Sequence, residues 1–145
     1  MSIRPILLAE DNPNDVELTL AAFQNANLAN EVVVVGDGAE ALDYLRGKGR
    51  YAGRSTPAPA LAVLDIKMPR VDGLEALRQI RADPALRLIP VVMLTSSREE
   101  SDLLSSYNLG ANAFVVKPVE FEQFLEAVGR LGVFWALLNE PPPGA

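Results

Sequence analysis

Five short apolar runs recur along the chain, and each is followed by a stretch with helical periodicity. The runs are residues 6–9, 31–35, 61–64, 90–94 and 113–116, and they are dominated by Val, Leu, Ile and Ala. Runs of this length, bounded by turn residues and apolar at successive positions, read as strands buried on both faces. Between them the spacing predicts helices over residues 13–26, 39–46, 73–82, 99–109 and 120–138. Asn12 and Pro13 form an N-cap and first-turn signal for the first helix, and Val16, Leu20 and Phe23 share one of its faces. Asp83-Pro84 ends the third helix, and Gly110 is placed as a C-cap of the fourth. Residues 47–59 are rich in Gly and Pro, lack periodicity and read as a loop carrying Lys48, Arg50 and Arg54. Five strand–helix units in alternation require an α/β fold: a doubly wound parallel sheet with helices on both faces.

Composition excludes several functions. The 145 residues suit one domain. There is no cysteine and no histidine, which removes thiolate and imidazole metal sites, a cysteine nucleophile and a Ser-His-Asp triad. It also means that a phosphohistidine would have to sit on another protein. A net charge of −6 argues against nucleic acid or an anionic membrane as the main partner. With no run long enough to span a bilayer and no signal-peptide pattern, a cytoplasmic location is expected.

In doubly wound folds the ligand crevice lies at the carboxyl ends of the strands. The residues that follow four of the five runs are Glu10-Asp11, Asp65, Thr95-Ser96 and Lys117-Pro118. One edge of the sheet would therefore gather three carboxylates, a hydroxyl and an ammonium. Crowded carboxylates repel, and burial adds to the penalty. A hard divalent cation such as Mg2+ relieves it through oxygen ligands. A carboxylate beside a cation, a lysine and a hydroxyl can attack phosphorus and hold an aspartyl phosphate. Each residue alone has an ordinary explanation. Glu10 and Asp11 would favour a helix N-terminus, Asp65 would suit a turn, and Thr95 and Ser96 would cap a helix. Their coincidence at the same end of successive strands favours the chemical reading.

These residues resemble the receiver domains of bacterial response regulators in two-component signalling, over about residues 3–138. The most specific stretch is Asp65-Ile66-Lys67-Met68-Pro69-Arg70-Val71-Asp72-Gly73, similar to the family's phosphoacceptor segment. The resemblance implies a flavodoxin-like (βα)5 fold with strand order 2-1-3-4-5. It implies Asp65 as phosphoacceptor, and Mg2+ held by Asp11 and Asp65, by Glu10 through water and by the main-chain carbonyl of Lys67. Thr95 would be the switch hydroxyl, Lys117 the phosphoryl-binding lysine, Lys117-Pro118 a cis peptide and Phe114 the aromatic switch. Core packing is an equally simple role for Phe114. Two positions depart from the usual pattern. Glu10 stands where Asp is common, and Lys67 where a small or amide side chain is common. Lys67 would pair with Glu10 or screen the phosphoryl group from water, which predicts slow hydrolysis; an exposed lysine without a kinetic role is the alternative.

The resemblance places a receiver domain at 1–138 and a Pro-rich tail at 139–145, with no room for an output domain. Residues 131–138 hold more apolar side chains than one core stripe uses, and Phe134 and Leu137 fall off the core face. Phe134, Trp135, Leu137 and Leu138 are therefore expected at an interface, as in a homodimer. Together with the long second loop, they make the chain similar to stand-alone regulators paired with bacterial phytochrome kinases. The expected partner is a sensor histidine kinase, and the chain itself is expected to be no enzyme beyond accepting and losing its own phosphoryl group. A Mg-dependent phosphatase with an aspartyl-phosphate intermediate is one alternative. It would ordinarily need a second Asp where Lys67 stands. A degenerate receiver that only binds partners is the other.

Overall fold

A computed structural model describes residues 4–53, 58–105, 107, 109–132 and 137. Its elements are β1 (Ile6–Ala9), α1 (Pro13–Asn25), β2 (Val32–Val35), α2 (Gly38–Arg46), a 3-10 turn (Gly49–Tyr51), β3 (Leu61–Asp65), α3 (Gly73–Ala82), β4 (Val91–Thr95), α4 (Arg98–Ser105), β5 (Ala113–Val116) and α5 (Phe121–Leu131). All strand pairs are parallel, in the order β2-β1-β3-β4-β5, as expected.

Each central strand is buried along its whole length, which is why the runs lack polar alternation. Odd and even positions feed opposite cores. Leu7, Ala9, Leu64 and Met93 face α2 and α3, together with Leu42, Leu77 and Ile80. Ile6, Leu8, Val63 and Leu94 face the other layer, where Phe23 of α1 meets Phe124 of α5 with ring centroids 4.6 Å apart. Helix starts follow their caps. Asn12 accepts from the amides of Asn14 and Asp15, Asp37 from Glu40 and Asp72 from Glu75, each satisfying donors that the first turn leaves open.

Three expectations are corrected. The last helix stops at Leu131 rather than 138, because Gly132 takes a left-handed φ of 68° as C-cap. Helix α4 ends at Ser105, so Gly110 (φ 88°) bends the following loop rather than capping the helix. Residues 47–59 are not wholly irregular, since Gly49–Tyr51 forms a 3-10 turn anchored by Tyr51 to Glu40. Among the described residues no helix is long and apolar enough to cross a membrane.

Candidate functional site

The register brings the polar strand exits together. Ala9 pairs with Leu64, so Glu10 and Asp65 leave the sheet side by side. Asp65 pairs with Leu94 and Thr95 with Val116, so Thr95 and Lys117 follow on the other flank. Glu10, Asp65 and Thr95 are buried, whereas Asp11 is exposed. Glu10, Asp11 and Asp65 each offer a carboxylate oxygen within 4.8 Å of the others. This all-oxygen set, in a chain without His or Cys, fits a hard divalent cation.

Lys117 is the hub. Its Nζ donates to Asp15 Oδ2 at 2.9 Å, Glu10 Oε2 at 3.0 Å and Asp65 Oδ2 at 3.1 Å. Burial works against its charge, but the hydrogen bonds to Asp15, Glu10 and Asp65 outweigh this and hold its pKa above the usual lysine value. Burial pushes the Glu10 carboxyl up, and the Asp65 charge adds to it. The Asn12 amide, donating to Glu10 Oε1 at 3.0 Å, and Lys117 pull the other way. Both Glu10 oxygens are thus engaged, and Lys67 is an exposed side chain; of the two roles open to Lys67, pairing with Glu10 is filled by Lys117 instead. The Lys117-Pro118 peptide is cis.

The loop after β3 is pressed against the end of that strand. A Cβ on Gly73 would fall 2.1 Å from the Asp65 carbonyl oxygen, so only glycine lets α3 start there. Gly73 also donates its amide to the Ile66 carbonyl at 2.8 Å. A Cβ on Gly38 would similarly meet the Val71 carbonyl at 2.0 Å. Between them Arg70 adopts a left-handed φ of 65°, and its guanidinium grips Asp37 through two bonds of 2.9 and 3.0 Å.

Thr95 and Phe114 take definite places. Thr95 Oγ1 donates to the Ser97 carbonyl at 3.0 Å, and Ser97 Oγ, rather than Thr95 or Ser96, caps the start of α4. Phe114 is half-buried, packs on the α2/α3-side core and lines a cleft of about 460 Å³ between α4, β5 and α5. Leu137 is buried in the other core cluster, which corrects its placement off the core face. Phe134, Trp135 and Leu138 lie outside the described residues.

Sequence reading missed two participants. Asp15 reaches Lys117 from the first turn of α1; its signal was an acid three residues past the N-cap of a helix that starts at the site. The Arg70–Asp37 clamp left no comparable signal, because it depends on a left-handed backbone at a non-glycine residue.

The family model described as "Response regulator receiver domain" matches residues 6–129. The chain belongs to the response regulator receiver domains. The bacteriophytochrome response regulator AtBRR is 63% identical, with a TM-score of 0.89, over 97% of this chain and 100% of that one. The phosphorylated cyanobacterial phytochrome response regulator RcpA is 40% identical, with a TM-score of 0.72, over 92% and 94%. The Mn(2+)-bound form of response regulator Rcp1 is 32% identical, with a TM-score of 0.71, over 96% and 99%. Within this receiver the phosphatase alternative is not favoured: the position two residues past Asp65 is Lys67, with no carboxyl to act as general acid.

Proposed function

We propose that this receiver accepts a phosphoryl group on Asp65 from the phosphohistidine of a sensor kinase, and that Mg2+ assists. The observation that carries the reading is the convergence of Asp65, Glu10 and Asp11 on one cation-sized space, with Lys117 in contact with Asp65. An Asp65 carboxylate oxygen forms the new bond to phosphorus as the P–N bond to the donor imidazole breaks, and the imidazole keeps the electron pair. Glu10, Asp11, Asp65 and the Lys67 carbonyl would hold the ion, which neutralises charge on the phosphoryl oxygens. Lys117 supplies a second positive charge to those oxygens. Thr95 must leave the Ser97 carbonyl to donate to one of them, and that release would couple phosphorylation to the start of α4 and to Phe114.

Likeness to bacteriophytochrome response regulators supports a kinase of that class as donor, in the cytoplasm. Incubation with acetyl phosphate and Mg2+ should add one phosphoryl group by intact mass in the wild type and none in Asp65→Asn. An unmodified wild type would overturn the reading. Lys67→Asn should hasten loss of the group; an unchanged rate removes the screening role. With Leu137 buried, self-association would rest on Phe134, Trp135 and Leu138. Light scattering with and without beryllofluoride tests it, and a monomer in both states counts against a homodimer.

A further inference from the structure

An ammonium group has three N–H donors, and Lys117 has committed all three to carboxylates. Two of those carboxylates, Glu10 and Asp65, belong to the set that fits a divalent cation. The third, Asp15, does not. It sits on α1, whose first turn is fixed by Pro13 and by the Asn12 side chain, which accepts the Asp15 amide at 3.2 Å. When Glu10 and Asp65 turn to a cation, or Asp65 carries a phosphoryl group, Lys117 has to release them and re-aim its donors. Asp15 is the one partner it can keep throughout.

We propose that Asp15 is a positioning residue for Lys117: it anchors the ammonium from helix α1 while the other two carboxylates are exchanged for cation and phosphoryl oxygens. The inference rests on Asp65 being the acceptor. Without Asp15, Lys117 would be shared between Glu10 and Asp65 alone and would compete more strongly for the oxygens that the cation needs. Its aim toward a phosphoryl oxygen would also loosen. Both effects act through Lys117, which separates the proposal from a diffuse effect of one negative charge.

The test is a double-mutant cycle read by Mn2+ titration, with free Mn2+ followed by electron paramagnetic resonance, and by the rate of phosphoryl uptake from acetyl phosphate. Asp15→Asn should weaken Mn2+ binding and slow uptake by roughly five- to tenfold, the size of coupling between charged neighbours in contact. Asp15→Glu should restore both to within about twofold, since a carboxylate at this place is what matters. In a Lys117→Ala background Asp15→Asn should change Mn2+ affinity by less than about twofold. An equal effect in both backgrounds would overturn the proposal, as would wild-type uptake and affinity in Asp15→Asn. Asp15→Ser serves in place of Asp15→Asn if that variant does not fold. A wild type that takes up no phosphoryl group defeats the functional reading instead, and the Mn2+ cycle still decides the role of Asp15.

Discussion

Two partly buried cations sit at opposite edges of the same sheet and are held in opposite ways. At the carboxyl edge Lys117 touches three carboxylates, and its pKa is raised. At the amino edge Arg81, in the last turn of α3, touches no acid among the described residues. Its guanidinium donates to the carbonyls of Gly110 (2.6 Å), Ile89 (2.7 Å) and Arg87 (3.0 Å) and to Asn112 Oδ1 (2.9 Å). Burial lowers its pKa below the usual arginine value. Asn112 Oδ1 also accepts the Val91 amide, so one side chain ties α3 to the entrances of β4 and β5. Neutral acceptors on separate segments make a fixed strut. Carboxylates that a divalent cation can also claim make a contact that is able to exchange. The difference separates the working edge of this fold from its supporting edge.

Removing each cation should have a different consequence. Lys117→Ala leaves Glu10, Asp15 and Asp65 uncompensated. It should cost about 3 kcal/mol without metal, the lower end for a broken buried pair, because the lysine side chain is 17% exposed. Millimolar Mg2+ should return most of that in urea denaturation, since the cation takes over the neutralisation. Arg81→Ala orphans several backbone acceptors and should cost about 2 kcal/mol, with no recovery on adding Mg2+. Equal responses of the two variants to Mg2+ would remove the distinction.

Gly73→Ala strains the backbone of the working edge. Its Cβ would fall 2.1 Å from the Asp65 carbonyl oxygen, so β3 or α3 must shift. A cost of about 1–3 kcal/mol is expected from overpacking, with phosphoryl uptake reduced more than stability alone explains. Gly110→Ala, whose Cβ would meet Arg81 Cγ at 2.9 Å on the other edge, should destabilise without changing uptake per folded molecule. Unfolding curves beside uptake rates check both.

How far these residues were legible follows from the physics that places them. Strands buried on both faces leave an unbroken apolar run, so Glu10, Asp65, Thr95 and Lys117 stood out as the first polar residues after four of the five runs. Asn12 was legible as the N-cap of α1 because its partners lie within one chain segment, and Asp37 and Asp72 cap α2 and α3 in the same local way. Arg81 carried no such signal, because its acceptors lie on two separate loops, up to 31 residues away. Asp15 is separated from Lys117 by 102 residues, and it is tertiary packing, with α1 against α5 on one face of the sheet, that joins them. The ends of α4 and α5 were overrun because apolar residues continue past Ser105 and Leu131, while a left-handed turn at Gly132 depends on backbone geometry that composition does not reveal.

Tyr51 tests a case between the two cations, a neutral donor on a carboxylate. Its hydroxyl donates to Glu40 Oε2 at 2.7 Å, Glu40 Oε1 accepts the Gly36 amide at 3.0 Å, and the Tyr51 ring meets Tyr44 edge-on at 5.2 Å. Burial and the Glu40 charge push the Tyr51 hydroxyl from 10.0 up to about 12. The folded chain therefore keeps this proton in a range where the unfolded chain releases it. The contribution is complete below pH 10 and is lost as pH rises through about 12. Tyr51→Phe should lower stability by about 1 kcal/mol at neutral pH, the worth of one hydrogen bond, and the gap to wild type should close across that alkaline window. Urea midpoints at stepped pH read both quantities. Because Glu40 lies outside the carboxylate set that fits a divalent cation, and its charged neighbour Arg50 is fixed in the chain, Mg2+ should leave the gap unchanged, which would place this bond with Arg81 rather than with Lys117. A gap that widens with rising pH, or shrinks with Mg2+, would show that a charged acceptor alone is enough to make a contact exchangeable.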